Sequence, residues 1–134
     1  MLLDTDVLID VALDRRPHSG SSSELLNRIE RGPQRAFVAW HTLSNFYYLV
    51  RSAHGDADAR DFISELVRFV AVARADTAAA RYAVSLPMAD FEDAMQVAAA
   101  RACGAQHIVT RNVRDFVRSP IPAVTPQEAL ARLF

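Results

Sequence analysis

The chain contains no lysine; all fifteen of its basic residues are arginines. No mechanism that requires a lysine amine can operate here, whatever codon bias produced the imbalance. Cysteine is nearly absent too. Cys103 stands alone, so no internal disulfide can form, and a reducing cytoplasm is the expected location. No apolar run approaches the ~20 residues that a membrane span needs. The opening MLLDTDVLID places acids where a secretory signal needs positive charge. An excess of positive charge is also missing, since the formal net charge is −1. Attraction to a polyanion therefore has to come from a local basic patch, or from a bound cation that reverses the sign of an acidic one.

What is present is globular. With 134 residues, 51% hydrophobic and 23% charged, the chain has the size of one domain spanning residues 1–134 and can bury a core without covalent staples. Met1 to Leu3 reads as a short strand running into Asp4. Val7, Leu8, Val11 and Ala12 then recur at helical spacing, until Arg15, Arg16 and Pro17 break the pattern. The serines at 19 and 21–23 read as a loop and helix cap before an amphipathic Glu24–Arg31 helix, which stops at Gly32-Pro33. A second strand is expected over Ala36–Trp40 and a helix over Thr42–Ser52, with Leu43, Phe46, Tyr47 and Val50 turned inward. Asp56 or Asp58 caps the next helix.

Phe69–Ala73 is a third strand, and Asp76-Thr77 opens a helix that ends at Leu86-Pro87. Asp90–Cys103 is a strong helix closed by Gly104. His107–Thr110 is a fourth strand, Arg111–Phe116 a loop, and Ala123-Val124 a short fifth strand. Thr125-Pro126 begins the last helix as N-cap and first turn. Strands alternating with helices predict an α/β fold, a parallel sheet of four or five strands covered on both faces.

In such a sheet, ligands bind beyond the carboxyl ends of the strands. Asp4 and Thr110 both stand at strand ends, and the Asp90–Cys103 helix carries Asp90 and Asp93 in its first turn. Three separated stretches thus offer carboxylates to one crevice. Convergent carboxylates repel one another unless a cation neutralises them, and hard divalent ions prefer oxygen ligands. Such an ion can bind a phosphodiester oxygen and lower the pKa of an attacking water.

Each acid also has a structural reading. Asp4 can be a helix N-cap, Asp90 and Asp93 a capping pair, Asp6 and Asp10 exposed acids of the first helix, and Asp115 a turn cap. Arg111 and Arg114 are either phosphate contacts or solvated loop residues. Trp40, Tyr47 and Tyr48 can stack on bases, but their positions read as core. His41, His54 and His107 show no zinc spacing.

Four blocks carry a more specific signal: LLDTDVLID ending at Asp10, TLSNFYYLVR (42–51), DFEDAMQVAAA (90–100) and IVTRNVRDF (108–116). In order and spacing they resemble the successive motifs of PIN domains, over nearly the whole chain. The resemblance implies an α/β/α sandwich and, in many members, an Mg²⁺- or Mn²⁺-dependent ribonuclease. Among these are VapC-type toxins, held inactive by a small antitoxin whose tail enters the active site, and PIN domains commonly form homodimers. By the same resemblance Asp4 and Asp93 match metal-binding acids, either Asp115 or Asn112 matches the last polar ligand, and Thr5 and Thr110 become supporting hydroxyls around Asp4. One position departs. The family usually carries a glutamate in its third helix, where this chain has Asn45, an amide that can ligate but brings no charge. Asp6 and Asp90 are candidates to restore that charge.

Two other readings compete. LLDTD also resembles the acidic strand end of haloacid-dehalogenase-type phosphatases and response-regulator receivers, but both use a lysine opposite the acid. The phosphatase motif also wants Gly-Thr after its second Asp, where Val7-Leu8 stand. The second competitor is a PIN fold that binds RNA or a partner protein without cutting, a reading motivated by Asn45.

Overall fold

The computed structural model describes residues 1–134. Its elements run β1 (Leu2–Leu3), α1 (Thr5–Ala12), α2 (Ser19–Arg31), β2 (Ala36–Val38), α3 (Trp40–His54), α4 (Asp56–Leu66) and β3 (Val70–Val72). They continue with α5 (Thr77–Ser85), α6 (Phe91–Ala102), β4 (Ile108–Val109), a 3-10 turn (Val113–Phe116), β5 (Ala123–Val124) and α7 (Pro126–Leu133). The five strands form one parallel sheet in the order β3-β2-β1-β4-β5.

Period-2 alternation divides the core between the two faces of the sheet. Leu3, Val38, Val70, Val109 and Val124 point into a cluster with Val7, Leu8, Leu25, Phe46, Leu66 and Ala129, from α1, α2, α3, α4 and α7. Leu2 and Ile108, with Phe37 and Ala123 beside them, meet Val97, Ala99 and Ala100 of α6 on the other face. Burial on both faces explains why the strands are apolar runs and not alternating ones. The strand order also fixes the crevice. From β1 the chain winds outward to β2 and β3, then crosses over to β4 and β5. The switch point lies between β1 and β4, whose carboxyl ends deliver Asp4 and Thr110. The main chain ties the two ends together there, with Asp4 N donating to Val109 O at 2.9 Å.

Several local expectations change. The serines at 19 and 21–23 lie inside α2, where Ser22 is fully buried and Ser19 Oγ donates to Asp14 at 2.7 Å. Tertiary packing thus overrides serine's preference for caps and turns. Trp40 opens α3 and does not end β2, and Gly55, not an aspartate, occupies the N-cap of α4. Residues 113–116 form a 3-10 turn and not an open loop. Thr125 and Glu128 make a reciprocal capping box at α7.

Candidate metal centre

Asp4 is set by its position as the N-cap of α1. Its Oδ1 accepts from Thr5 N at 2.7 Å and from Gln96 Nε2 at 2.9 Å, and its Oδ2 accepts from Thr110 Oγ1 at 2.8 Å. The cap reading of Asp4 therefore holds, and it does not compete with a role in the cleft, which Asp4 also lines. Asp6, one half-turn on, accepts from Thr110 Oγ1 at 3.1 Å, Arg111 N at 2.9 Å and Asn112 Nδ2 at 3.2 Å. Its other oxygen is buried without a partner. Of the two threonines expected around Asp4, Thr110 places its hydroxyl there. Thr5 offers its main-chain N–H instead and turns its hydroxyl to Thr42. On α6, Asp90 is the N-cap, accepting from Asp93 N at 3.2 Å, so the capping reading holds for Asp90, while the Asp93 carboxylate does not return the bond to Asp90 N and is not a cap.

These pieces surround one cleft of about 720 Å³, lined by Asp4, Thr5, Asp6, Asn45, Tyr48, Leu49, Ala89, Asp90, Glu92, Asp93, Asn112 and Asp115. All five residues singled out from the sequence, Asp4, Asn45, Asp93, Asn112 and Asp115, share it. The lining holds six carboxylates and no basic side chain. Burial, then repulsion from Asp6, pushes Asp4 up to about 7. Burial, then Asp90, Asp115 and Glu92, pushes Asp93 up to about 6.

The donor set fits a hard cation, being all oxygen and strained by its own charge. No three of these side chains close tightly around a single point. The oxygens of Asp4 and one oxygen of Asp6 are taken up by protein donors.

Sequence reasoning missed four features. Glu92 lines the cleft, and Asn45 Nδ2 donates to its Oε1 at 2.6 Å. A carboxylate from α6 thus meets the α3 position where the family's glutamate is expected. Gln96 is fully buried and orients Asp4 while also donating to Thr42 at 3.0 Å. Asp10, read as an exposed first-turn acid, lies in the last turn of α1 with no exposed surface. Arg111 is neither a solvated loop residue nor a cleft residue, because it turns inward to Asp10 and Asp6. The core reading of two aromatics also fails: Trp40 is 73% exposed and Tyr48 63% exposed, the latter at the cleft wall. Tyr47 is half-buried, with its hydroxyl donating to Asp56.

The chain belongs to the PIN domain family, whose model matches residues 1–114. Among solved structures its fold is similar to that of VapBC2 from Rickettsia felis bound to a DNA fragment from their promoter. The TM-score is 0.72 at 15% identity, covering 92% of this chain and 96% of that one. It is similar to DNA-bound VapBC from Salmonella typhimurium, with TM-score 0.70 and 20% identity over 93% and 96% of the two chains. It is similar as well to Mycobacterium tuberculosis VapC20, a sarcin-ricin loop cleaving toxin, with TM-score 0.65 and 18% identity over 80% and 85%. No curated protein sequence matches the chain. Identities this low establish a shared architecture.

Proposed function

We propose that the protein is a metal-dependent endoribonuclease and the toxin of a toxin–antitoxin pair. The observation that carries this reading is a cleft with six carboxylates and no basic side chain, at the switch point of a PIN fold. A phosphodiester backbone is repelled by such a cleft unless a divalent cation occupies it. When bound, Mg²⁺ or Mn²⁺ supplies a Lewis acid that polarises the phosphodiester and acidifies the attacking water.

The chain's own residues do the rest. Asp4, Asp93 and Asp115 hold the ion. Thr110 and Gln96 fix the orientation of the Asp4 carboxylate, as outer partners of a metal ligand do. Glu92, steadied by the Asn45 amide, contributes the charge that α3 lacks. This weakens the competing picture of a fold that binds without cutting, which rested on Asn45 alone. The side-chain oxygens of Asn45 and Asn112 remain further oxygen donors at the wall. Tyr48 at the cleft and exposed Phe91 at the start of α6 suit stacking on unpaired bases, and exposed Arg114 suits a phosphate.

A protein antitoxin is the expected partner, in keeping with the VapBC complexes among the structural neighbours; a second copy of the chain is proposed as well, with exposed Trp40, Leu49 and Val84 as apolar surface for either. No helix is long and apolar enough to cross a membrane, and the cytoplasm is the compartment proposed. The test is cleavage of structured and single-stranded RNA by the purified chain. Cutting should need Mn²⁺ or Mg²⁺ and stop on chelation; cutting that persists in chelator would overturn the metal-dependent reading.

A further inference from the structure

We infer that Arg111 is a positioning residue: the buried carboxylate of Asp10 pins it, and the pair clamps the segment after β4 onto α1 so that Asn112 and Asp115 face the cleft. The inference rests on the proposed metal site for what is being positioned, but the clamp itself is a property of the metal-free chain. Asp6 and Asp10 lie four residues apart on α1 and so share one face, where like charges destabilise a helix. Asp10 has no exposed surface, and neither of its carboxylate oxygens makes a hydrogen bond. A carboxylate buried in that way needs a charged partner.

Arg111 supplies it. Its Nη1 lies 3.3 Å from Asp10 Oδ1 and its Nε 3.8 Å from Asp6 Oδ2, with the side chain 24% exposed. The other basic groups near Asp10, Arg15 and His18, are exposed.

The main chain of the same residue is held by the same helix, since Arg111 N donates to Asp6 Oδ2 at 2.9 Å. Thr110 and Asn112 on either side also donate to α1 acids. Beyond this knot the chain turns at once into the 3-10 segment that carries Asp115. Arg111 contributes no atom to the cleft lining, so its influence on the site passes through this attachment. Because the guanidinium makes no aligned hydrogen bond to Asp10, the pairing is chiefly Coulombic, and a lysine in its place should recover part of it.

The sign of one measurement separates positioning from simple charge. A cation beside an acidic cleft weakens divalent-ion binding by repulsion, so removing it by charge alone would tighten Mn²⁺ binding. Loss of positioning does the opposite. The experiment compares the full chain with Arg111→Met, Asp10→Asn and Arg111→Lys. It reads amide hydrogen exchange over residues 110–116 without metal, and Mn²⁺ affinity by calorimetry. Arg111→Met and Asp10→Asn should speed exchange across 110–116 by about tenfold or more while α5 is unchanged. Both should weaken Mn²⁺ binding by about 10–100-fold, the usual effect of losing an outer partner of a metal site, with Arg111→Lys lying between. Unchanged protection over 110–116, or tighter Mn²⁺ binding by Arg111→Met, would overturn the inference. If the unaltered chain binds no Mn²⁺, the metal-site reading falls, and the exchange data alone decide whether the clamp exists. Should Arg111→Met fail to fold, hydrogen exchange over residues 110–116 in Asp10→Asn and Arg111→Lys decides the matter, because losing the Asp10 charge weakens Mn²⁺ binding on either account; unchanged protection in Asp10→Asn would overturn the inference.

Discussion

Replacing Asp4 or Asp93 by asparagine is expected to lower Mn²⁺-dependent RNA cleavage by at least ~10²-fold, the scale on which losing one preorganised electrostatic partner slows an enzyme. The metal-free proteins should nevertheless melt no lower than the parent. The two effects oppose each other because the carboxylates are useful with an ion and costly without one. Asp4 is almost fully buried beside Asp6, and Asp93 faces Asp90, Asp115 and Glu92. Removing a charge relieves that repulsion.

The hydrogen-bond geometry tolerates the change at Asp4. An asparagine oxygen can keep the bonds from Thr5 N and Gln96 Nε2, and its amide can donate to Thr110 Oγ1, which then directs its own hydrogen to Asp6, 3.1 Å away. Asparagine also remains a good N-cap. A residue that served only as a cap would therefore show little change in either measurement. Cleavage assays beside thermal melts in chelator decide the matter: variants that cut RNA like the parent would reduce these acids to helix caps.

The second large effect is on stability against pH. In the metal-free protein, Asp4 is pushed up to about 7 and Asp93 to about 6, chiefly by burial, and burial raises Asp6 and Asp10 as well. The folded state then binds more protons than the unfolded chain between the ordinary carboxylate range and neutrality. The contribution of these four acids to stability therefore falls as pH rises through that interval, opposed more weakly by exposed Asp56 and Glu128, whose carboxyls are lowered by hydrogen bonds, and by His41, lowered by burial. Between about pH 4 and 7 the loss should be roughly 2–4 kcal/mol, most of it from Asp4, with the more exposed Asp93 discounted for solvent screening. That corresponds to a melting temperature lower by on the order of 10 °C. Saturating Mn²⁺ at pH 7.5 should recover about 3 kcal/mol when present at ~100 times its dissociation constant. Melts from pH 4 to 8 in chelator and in Mn²⁺ test both halves. A chelated protein that grows more stable from pH 4 to 7 would show that these acids are not strained in the folded state.

Local signals were legible where one stretch of chain sufficed. Asp90 and Gly104 bound α6, Thr125-Pro126 starts α7, and apolar runs with helical connections give a parallel sheet. The convergence of Asp4, Asp93 and Asp115 followed from strand ends and the first turn of one helix, and all three line the same cleft. Illegible features depend on partners far along the chain. Asp10 looks like a surface acid until Arg111, a hundred and one positions later, is folded against it. The face that Asp10 shares with Asp6, four residues away, was the only local hint. Glu92 reads as an ordinary first-turn acid, and only the packing of α6 near α3 brings it to Asn45. Trp40 and Tyr48 carry no local mark of exposure, because hydrophobicity favours burial on average without specifying the face. Gln96 hides in an alanine-rich helix, and its role appears only when Thr42 and Asp4 arrive from two other elements.

The most direct test of the central claim is a crystal of the protein soaked with Mn²⁺ and measured at the manganese absorption edge. The account predicts an anomalous peak in the cleft with Asp4, Asp93 and Asp115 as its carboxylate neighbours. A saturated crystal with no peak in the cleft, or with manganese bound only elsewhere, would contradict it.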